Sequence, residues 1–432
     1  MNTPLKIAVA GLGTVGAGLV RLLHERREAL ALQCGKPILV TAVSARDKSK
    51  DRGLDLQGMA WFDDAETMAR EADAEVVVEL IGGSDGAALD LCKSAISAGR
   101  HVVTANKALI AHHGLALAEA AEAANVSLAY EAAVAGGIPI IKALREGLAG
   151  NAINGLYGIL NGTCNYILSE MRETGREFDD VLADAQRLGY AEADPGFDVD
   201  GVDAAHKLAI LTSVAFGCRI NFDDIAVEGI RHISALDIRF ANELGYRIKL
   251  LGITRRTALG VEQRVHPCMV QLDSPIAHVE GVFNAVVAQG DFVGSTVYEG
   301  RGAGEGPTAS AVAADLVDIA RGTMFPTFGV PVKSLKELDT VPMDQHRGAY
   351  YIRLMVVDRP GVFADVAAVL RDEQVSMESI LQHTRAPGEL VPVVMTTHEV
   401  SEESMRRAID QFAAFDTVVE PPRMIRIEPL TL

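Results

Sequence analysis

Residues Leu5 to Gly16 read L-K-I-A-V-A-G-L-G-T-V-G, with Gly18 close behind. Leu5 to Ala10 is a short apolar run of the kind buried in a parallel strand. It breaks into Gly11, Gly13 and Gly16 just ahead of a helical pattern through Val20, Leu22, Leu23 and Leu30. Alone, a G-x-G-x-x-G string says little. Between an N-terminal strand and a helix it predicts a dinucleotide-binding turn, because glycines permit the tight bend and close backbone approach while the helix N-terminus faces a pyrophosphate. The expected cofactor contacts are Gly11, Leu12, Gly13, Thr14, Val15 and Gly16.

The next strand, Ile38 to Val43, should end at the group that reads the ribose 2′ position. Asp or Glu there would suit a free hydroxyl, whereas this chain offers Ser44, Ala45, Arg46, Lys48 and Lys50. The Arg46 guanidinium suits a 2′-phosphate and favours NADP, with Asp47 keeping NAD open. Strands and helices go on alternating through Val76 to Leu80, Ala87 to Ser97, His101 to Thr104, Leu115 to Ala124 and Val126 to Tyr130. That order predicts a doubly wound parallel sheet with ligands at the carboxyl ends of its strands. Lys107, in the A-N-K turn past one such end, is thereby placed at the mouth of the crevice, an ordinary surface lysine being the alternative. The adjacent His112 and His113 are expected at a polar helix start.

At 432 residues the chain has room for about three domains. Its 40 Lys+Arg against 58 Asp+Glu give a net charge of -18, which argues against nucleic-acid or anionic-membrane partners. No apolar run approaches the roughly 20 residues of a membrane span. Five scattered cysteines, odd in number and free of C-x-x-C spacing, suit a reducing cytoplasmic compartment. The histidines show no zinc spacing, and the N-terminus runs straight into a strand with no signal peptide.

A second informative stretch is Gly189 to Leu211, where Glu192, Asp194, Asp198, Asp200 and Asp203 crowd a Pro/Gly-broken loop ahead of an apolar helical pattern carrying Lys207. Asp203 and Lys207 fall on one helix face, acid first. Five carboxylates close to one inward-leaning ammonium predict a site; a solvated acidic loop capping a helix reads this stretch alone about as well. Glu131, with backbone carbonyls of Val134, Gly136 and Ile138 in A-A-V-A-G-G-I-P, offers hard oxygens for a cation of group one or two, although a plain Gly-Pro connection fits the spacing too. Asn161-Gly162-Thr163-Cys164 breaks a strand and restarts as a helix capped by Thr163; Cys164 has no histidine placed to activate it. Runs such as Ile248 to Ile253 and Val261 to Val265 predict the sheet of a catalytic domain. The glycine-rich Gly290 to Gly306 precedes Pro307 at a helix start, so the chain is expected to return to the nucleotide domain and bring Gly304 toward the nicotinamide end, a flexible linker being the alternative.

Three strings in fixed order, T-A-N-K-A-L-I-A, N-G-T-C-N-Y-I-L and D-P-x-x-D-x-x-G-x-D-A-A-x-K within Glu192 to Lys207, resemble the homoserine dehydrogenases. The resemblance runs from the N-terminus to about Arg321. It implies NAD(P)-dependent interconversion of L-homoserine and L-aspartate 4-semialdehyde, on the route to threonine, methionine and isoleucine. It implies Lys207 as proton donor and acceptor, Lys107 as the second active-site lysine, also touching cofactor, and Glu192, Asp203 and Asp198 as substrate-binding acids. Gly189 and Gly304 join the cofactor contacts, and Glu131, Val134, Gly136 and Ile138 become a monovalent cation site, sodium by analogy. A lysine near its reference pKa of about 10.4 is a poor base at neutral pH; burial or Lys107 must lower it while Asp203 pushes the other way, so oxidation should run best at alkaline pH.

Pro326 to Arg347 reads as a linker. Beyond it come strand (Tyr350 to Val357), D-R-P-G turn, helix (Val362 to Arg371), strand (Val375 to His383), hairpin at Ala386-Pro387-Gly388, strand (Leu390 to Thr397), helix (Glu402 to Phe412) and strand (Val418 to Ile427). That is the ferredoxin-like order. The D-R-P-G-V-F turn resembles an ACT domain, which implies feedback by an amino acid such as threonine; a module used only for dimerisation stays open. The expected architecture is therefore a Rossmann domain (1–132, with a return helix 307–322), an α+β catalytic and dimerisation domain (133–306), a linker (323–348) and a separate ACT module (349–432), assembled as a homodimer or homotetramer. Two rivals are an oxidoreductase for another aldehyde or keto acid, and a non-catalytic sensor that binds NADP.

Overall fold

The computed structural model describes residues 3–383 and 388–430. Leu5–Ala10 (β1) is the centre of a six-stranded sheet completed by Ile38–Ser44 (β2), Ala60–Phe62 (β3), Val76–Glu79 (β4), His101–Thr104 (β5) and Leu128–Ala129 (β6), in the order β3-β2-β1-β4-β5-β6. All neighbours are parallel. The two-residue period of a strand explains why β1 is apolar on both sides. Leu5, Ile7 and Val9 face one core with Leu19, Leu23 and Leu316, while Ala8 and Ala10 face another with Met68 and Leu91. The strand order reverses beside β1, where a doubly wound sheet opens its ligand crevice. The helix Glu305–Arg321 does return to this domain, starting two residues before the expected Pro307, and packs on Thr14–Glu25. A Cβ on Gly18 would lie 2.4 Å from Glu305 Cγ, so any larger residue there would force the Glu305 side chain to move.

The middle of the chain forms an antiparallel sheet from Ile153–Ile159 (β7), Tyr246–Thr257 (β9), Gly260–Gln271 (β10), Phe283–Gly290 (β11) and Gly294–Arg301 (β12), with Ala226–Val227 (β8) along β10. One face carries the helices Gly162–Thr174 and Val202–Phe216. Thirteen of the fifteen residues of Val202–Phe216 are buried, the expected fate of a helix that is apolar nearly all round.

The C-terminal part has the ferredoxin-like pattern: Arg347–Val357 (β13), Met377–Leu381 (β14), Leu390–Thr397 (β15), the two-residue Val400–Ser401 (β16) and Arg423–Glu428 (β17), with helices Val362–Asp372 and Glu402–Ala413. It is not a separate module. β17 pairs in parallel with β10 (Cys268 opposite Arg426, Val270 opposite Glu428), so the order β12-β11-β7-β9-β10-β17-β13-β15-β14 runs through both parts as one sheet, eleven strands with β8 and β16. Buried ion pairs line the seam. Arg426, 2% exposed, holds Glu402 and Glu228; Arg264, 1% exposed, donates to both oxygens of Glu428; Arg353 and the Tyr351 hydroxyl both bond Asp237.

Several expectations shift. Residues 326–346 are irregular but lie packed, with Phe328 fully buried, the Tyr130 hydroxyl donating to the Thr327 carbonyl at 2.7 Å, and Lys336 bridging Cys218. The helix expected from Leu115 begins at Lys107, so His112 and His113 sit inside it rather than at its start. The last strand begins at Arg423, not Val418, and β6 keeps only two residues of the expected Val126 to Tyr130. Of the predicted hairpin, Ala386 and Pro387 lie outside the described residues. Replacing Arg353 by Ala strands the 1%-exposed Asp237 without its counter-ion and should cost about 3–5 kcal/mol. Urea unfolding followed by tryptophan fluorescence at Trp61 checks this: a loss shared by the whole chain fits one continuous body, and an unchanged transition would restore the separate module.

Candidate active site

Gly201 takes a left-handed turn (φ 86°) into the Val202–Phe216 helix, which sinks Asp203, His206 and Lys207 below the surface. Asp203 is the hub. Its Oδ2 accepts from Lys207 Nζ at 2.7 Å, and its Oδ1 lies 2.7 Å from Lys107 Nζ, which arrives from the Rossmann domain. Lys207 donates a second bond to the Leu160 carbonyl at 2.7 Å, where β7 ends, leaving one of its three N–H groups without a partner among the described residues. Asn161 donates at 2.8 Å to both Asp203 Oδ2 and Asp198 Oδ1, and its own Oδ1 accepts from the Cys164 amide.

Exposure separates the two lysines: the Lys107 side chain is 32% accessible and that of Lys207 10%. Burial pulls the Lys107 ammonium down, but Asp203, with Asp198 and Glu192 further off, outweighs it and holds the group above its ordinary value. For Lys207 burial wins: seconded by Lys107 and opposed by Asp203, it leaves the amine below its ordinary value. Burial alone would raise Asp203, but the two ammonium groups hold its carboxyl far below the usual range. Asp198 is raised, by burial and then by Asp203. Phe197 covers the mouth, its ring 5.5 Å from Lys107 Nζ and stacked at 5.5 Å on His206, which stacks in turn on Phe222 at 4.3 Å. Burial, then His112 at 3.0 Å, push His206 down to about 4, so the stack is made by a neutral ring.

The dinucleotide turn is built as read. A Cβ on Gly11 would meet the Leu80 carbonyl at 2.3 Å and one on Gly16 the Gly11 carbonyl at 1.9 Å, so packing demands both glycines. Gly13 has no neighbour within 4 Å of its Cβ position; its bareness leaves space for a ligand rather than for the fold. Beside it opens a groove of about 750 Å³ lined by Gly11, Gly13, Ser44, Arg46, Lys50 and Arg52, with Asp47, Asp63, Asp64, Glu66 and Asp90 also on its walls, large enough for a dinucleotide. Its wall connects to the lysines through Glu79. That buried carboxylate accepts from the amides of Ile81 and Gly82 and from the Thr104 hydroxyl, and Asn106, which caps the helix opened by Lys107, donates to the Gly83 carbonyl at 2.6 Å.

Of the five carboxylates expected around one ammonium, Asp203 and Asp198 converge, and they meet two lysines. Asp194 accepts from the Gly196 amide, and Asp200 pairs with Arg231, so neither joins. Glu192 is exposed at the rim, close enough to act on Lys107. Asn161, not Thr163, caps the helix; Thr163 donates to the Tyr190 carbonyl. The Cys164 thiol is buried and pushed far up, unfit as a nucleophile. Both Glu131 oxygens accept backbone amides, of Ile141 at 3.0 Å and Lys142 at 2.8 Å, and burial followed by Asp315 pushes its carboxyl up to about 7. Gly304 caps Glu305–Arg321 at φ 120°, and Gly189 turns at φ 78° on the surface beyond Phe178–Arg187. Three functional residues escaped the sequence reading. Asn161 carried a signal, an Asn directly ahead of a helix; Arg52, which donates to the Leu12 carbonyl at 3.1 Å, merely extended a basic run; Glu79 had none.

A reversed-order parallel sheet with a bare-glycine turn, joined through one wall to a buried lysine–aspartate–lysine cluster, defines a nicotinamide-dependent oxidoreductase of a small polar substrate. Family models described as homoserine dehydrogenase, its NAD binding domain and the ACT domain match residues 139–317, 11–131 and 350–416. A homoserine dehydrogenase of Pseudomonas aeruginosa is 48% identical over 436 residues, and one of Neisseria gonorrhoeae 45% identical over 433, each alignment covering 99% of both chains. The crystal structure of a homoserine dehydrogenase from Thiobacillus denitrificans superposes with TM-score 0.94 at 45% identity over 99% of both chains. A hyperthermophilic archaeal homoserine dehydrogenase in complex with NADPH gives TM-score 0.65 at 27% identity, covering 76% of this chain and 100% of that one. The chain belongs to the homoserine dehydrogenase family, which interconverts L-homoserine and L-aspartate 4-semialdehyde.

Asn161→Ala removes a helix cap, worth about 1 kcal/mol, and one donor from each of two site carboxylates. The expected result is a fall in kcat/KM of about tenfold or more, beyond what so modest a stability loss explains. Steady-state kinetics beside thermal unfolding separate the two, and an unchanged kcat/KM would reduce Asn161 to a cap.

Proposed function

We propose that Lys207 gives the proton to the developing alkoxide in reduction and, as a neutral amine, takes it back in oxidation. The observation that carries this is the single carboxylate shared by the lysines: Asp203 anchors both, yet the enclosed Lys207 retains an N–H without a partner among the described residues while the wetter Lys107 is held charged. NADP supplies or accepts the hydride when bound. Lys107 orients the substrate and its cofactor-side neighbours, and Glu192, Asp203 and Asp198 present negative charge to the substrate ammonium. Arg46 with Arg52 favours NADP over NAD, a reading supported by the NADPH complex of the archaeal relative.

A monovalent cation, sodium in our reading, is held by Glu131 and the carbonyls of Val134, Gly136 and Ile138. The chain runs left-handed at Ala135 and Gly136 (φ 55° and 50°), and Glu131 is buried beside Asp315, with the nearby Lys142 bridged to Asp315 at 3.3 Å. The enzyme works in the cytoplasm as a homodimer or homotetramer, and an amino acid such as threonine acts through the ACT domain. Among the described residues no helix is long and apolar enough to cross a membrane.

Lys207→Ala should collapse turnover while NADP binding by fluorescence titration persists; near-normal turnover would remove Lys207 from the proton path. Because Asp203 holds the Lys207 amine up against burial, Asp203→Asn should move the rising limb of the oxidation profile to lower pH, and a shift to higher pH would contradict the assignment.

For the cation, the sign follows from Glu131. Its folded value of about 7 exceeds the unfolded value of about 4.3, so between them the unfolded chain releases a proton the folded one keeps, and stability falls as pH rises through that window. An ion on the charged carboxylate offsets this loss. Stabilisation by sodium over choline should therefore grow from about pH 4.5 to about pH 7.5, and Glu131→Gln should flatten it. Thermal melts at constant ionic strength read this, and a sodium effect independent of pH would count against the site.

A further inference from the structure

On the far side of the helix capped by Asn161, Gly162–Thr174 ends at Gly175 (φ 70°) and faces Ala235–Glu243 across an open groove of about 510 Å³. Its lining includes Met171, Arg172, Glu177, Arg239, Asn242 and Arg247, none of them shared with the dinucleotide groove. Inward it narrows to a cleft where Arg172 and Arg247 are joined by Lys249 and Glu280. The charges there do not balance. Arg172, partly exposed, pairs with Glu280 and with its neighbour Glu173, and Lys249, 2% exposed, reaches Glu280 at 3.5 Å, so that carboxylate is shared by two cations. One guanidinium nitrogen of Arg247 donates to Asn242, and its buried Nε has no partner among the described residues. Neither Arg247 nor the exposed Arg239 has a carboxylate oxygen within 4 Å among those residues. Glu177, across the groove, already accepts the Ala235 amide at 3.1 Å.

An excess of guanidinium groups in a concave, partly dry site is unusual in a chain of net charge -18, since cations are normally buried only with partners. Burial lowers Arg247, with Arg172 adding to it, and brings Lys249 down to about 8 against the pull of Glu280. Planar guanidinium forks match the oxygens of carboxylate and phosphate, and the volume suits a metabolite-sized ligand. We propose that this groove binds a small oxyanion, a carboxylate or phosphate group held by Arg239 and Arg247 with Arg172 behind them. The site lies between the helix that begins at Asn161 and the helix whose Asp237 holds Arg353 and Tyr351 of the ACT part, so its occupant touches both supports.

The test uses the full chain saturated with NADP, so that its phosphate-binding turn is already filled. Thermal melts with inorganic phosphate, and separately with succinate, are compared with chloride at equal ionic strength. A saturable rise in Tm over chloride is expected, with apparent affinity weakened at least tenfold in R239Q/R247Q and NADP affinity retained. A response to phosphate alone or succinate alone assigns the anion class within the proposal. No rise over chloride in the unaltered protein, or equal affinity in the double variant, overturns it. Should the double variant fail to fold, R239Q alone, altering an exposed side chain, is expected to weaken binding at least threefold, and unchanged affinity there overturns it equally.

Discussion

A carboxylate buried to 2% exposure between two ammonium groups is the arrangement on which the rest of this molecule turns. Asp203 without its partners would carry a desolvation cost of several kcal/mol, so its partners cannot drift far. One partner, Lys207, comes from its own helix. The other, Lys107, belongs to the first helical turn after β5, and the Leu160 carbonyl and Asn161 amide come from the end of β7. Two sheets are thus tied at one acid. The same geometry separates the duties of the lysines. Both feel Asp203, but the one that keeps solvent is held above its ordinary value and the one that loses it is drawn below, so unequal burial sets apart two like groups on one acid.

What the sequence disclosed follows the range of the physics involved. The glycine turn was legible because backbone geometry is local: Gly11 and Gly16 are required within a few residues of themselves, against Leu80 and against each other. Asp203 and Lys207 were legible because helical spacing fixes a shared face. The loop from Glu192 to Asp200 was not, because spacing sets no side-chain direction in an irregular segment. Asp194 turned inward to its own backbone and Asp200 outward to Arg231, two of the five acids being spent on shape. Glu79 could not be read at all. Its work, bracing the turns after β4 and β5 through Ile81, Gly82 and Thr104, exists only once those strands are neighbours.

The seam between the catalytic sheet and the C-terminal part was hidden for the same reason. Each half showed its strands by periodicity, but the pairing of Cys268 with Arg426 joins positions over 150 residues apart and depends on no local pattern. Charge gave a faint hint after the fact. Arg426, Arg264 and Arg353 lie within strands whose neighbours are apolar, places where a guanidinium survives only if carboxylates meet it there. Glu402, Glu228, Glu428 and Asp237 do so, the first and third from the ACT part and the others from the catalytic part.

That seam constrains how any signal can cross it. Couplings between sites are usually about 1–3 kcal/mol, whereas pulling one partner from a buried ion pair costs about 3–5 kcal/mol. A swing of the C-terminal part away from β10 would break the buried Arg264–Glu428 pair and the half-exposed Arg426–Glu228 pair together and cut the sheet between β10 and β17. The cost exceeds what an effector contributes. A regulatory change in this chain therefore has to travel with the seam closed, as a tilt of one continuous sheet. The next strands inward from the seam, β10 and β9, are those on which the Val202–Phe216 helix rests, and a tilt there moves Asp203 and Lys207 relative to Lys107. A shift of a few tenths of an ångström in that bridge acts on both lysines at once, since the pull on each falls with its distance from one carboxylate.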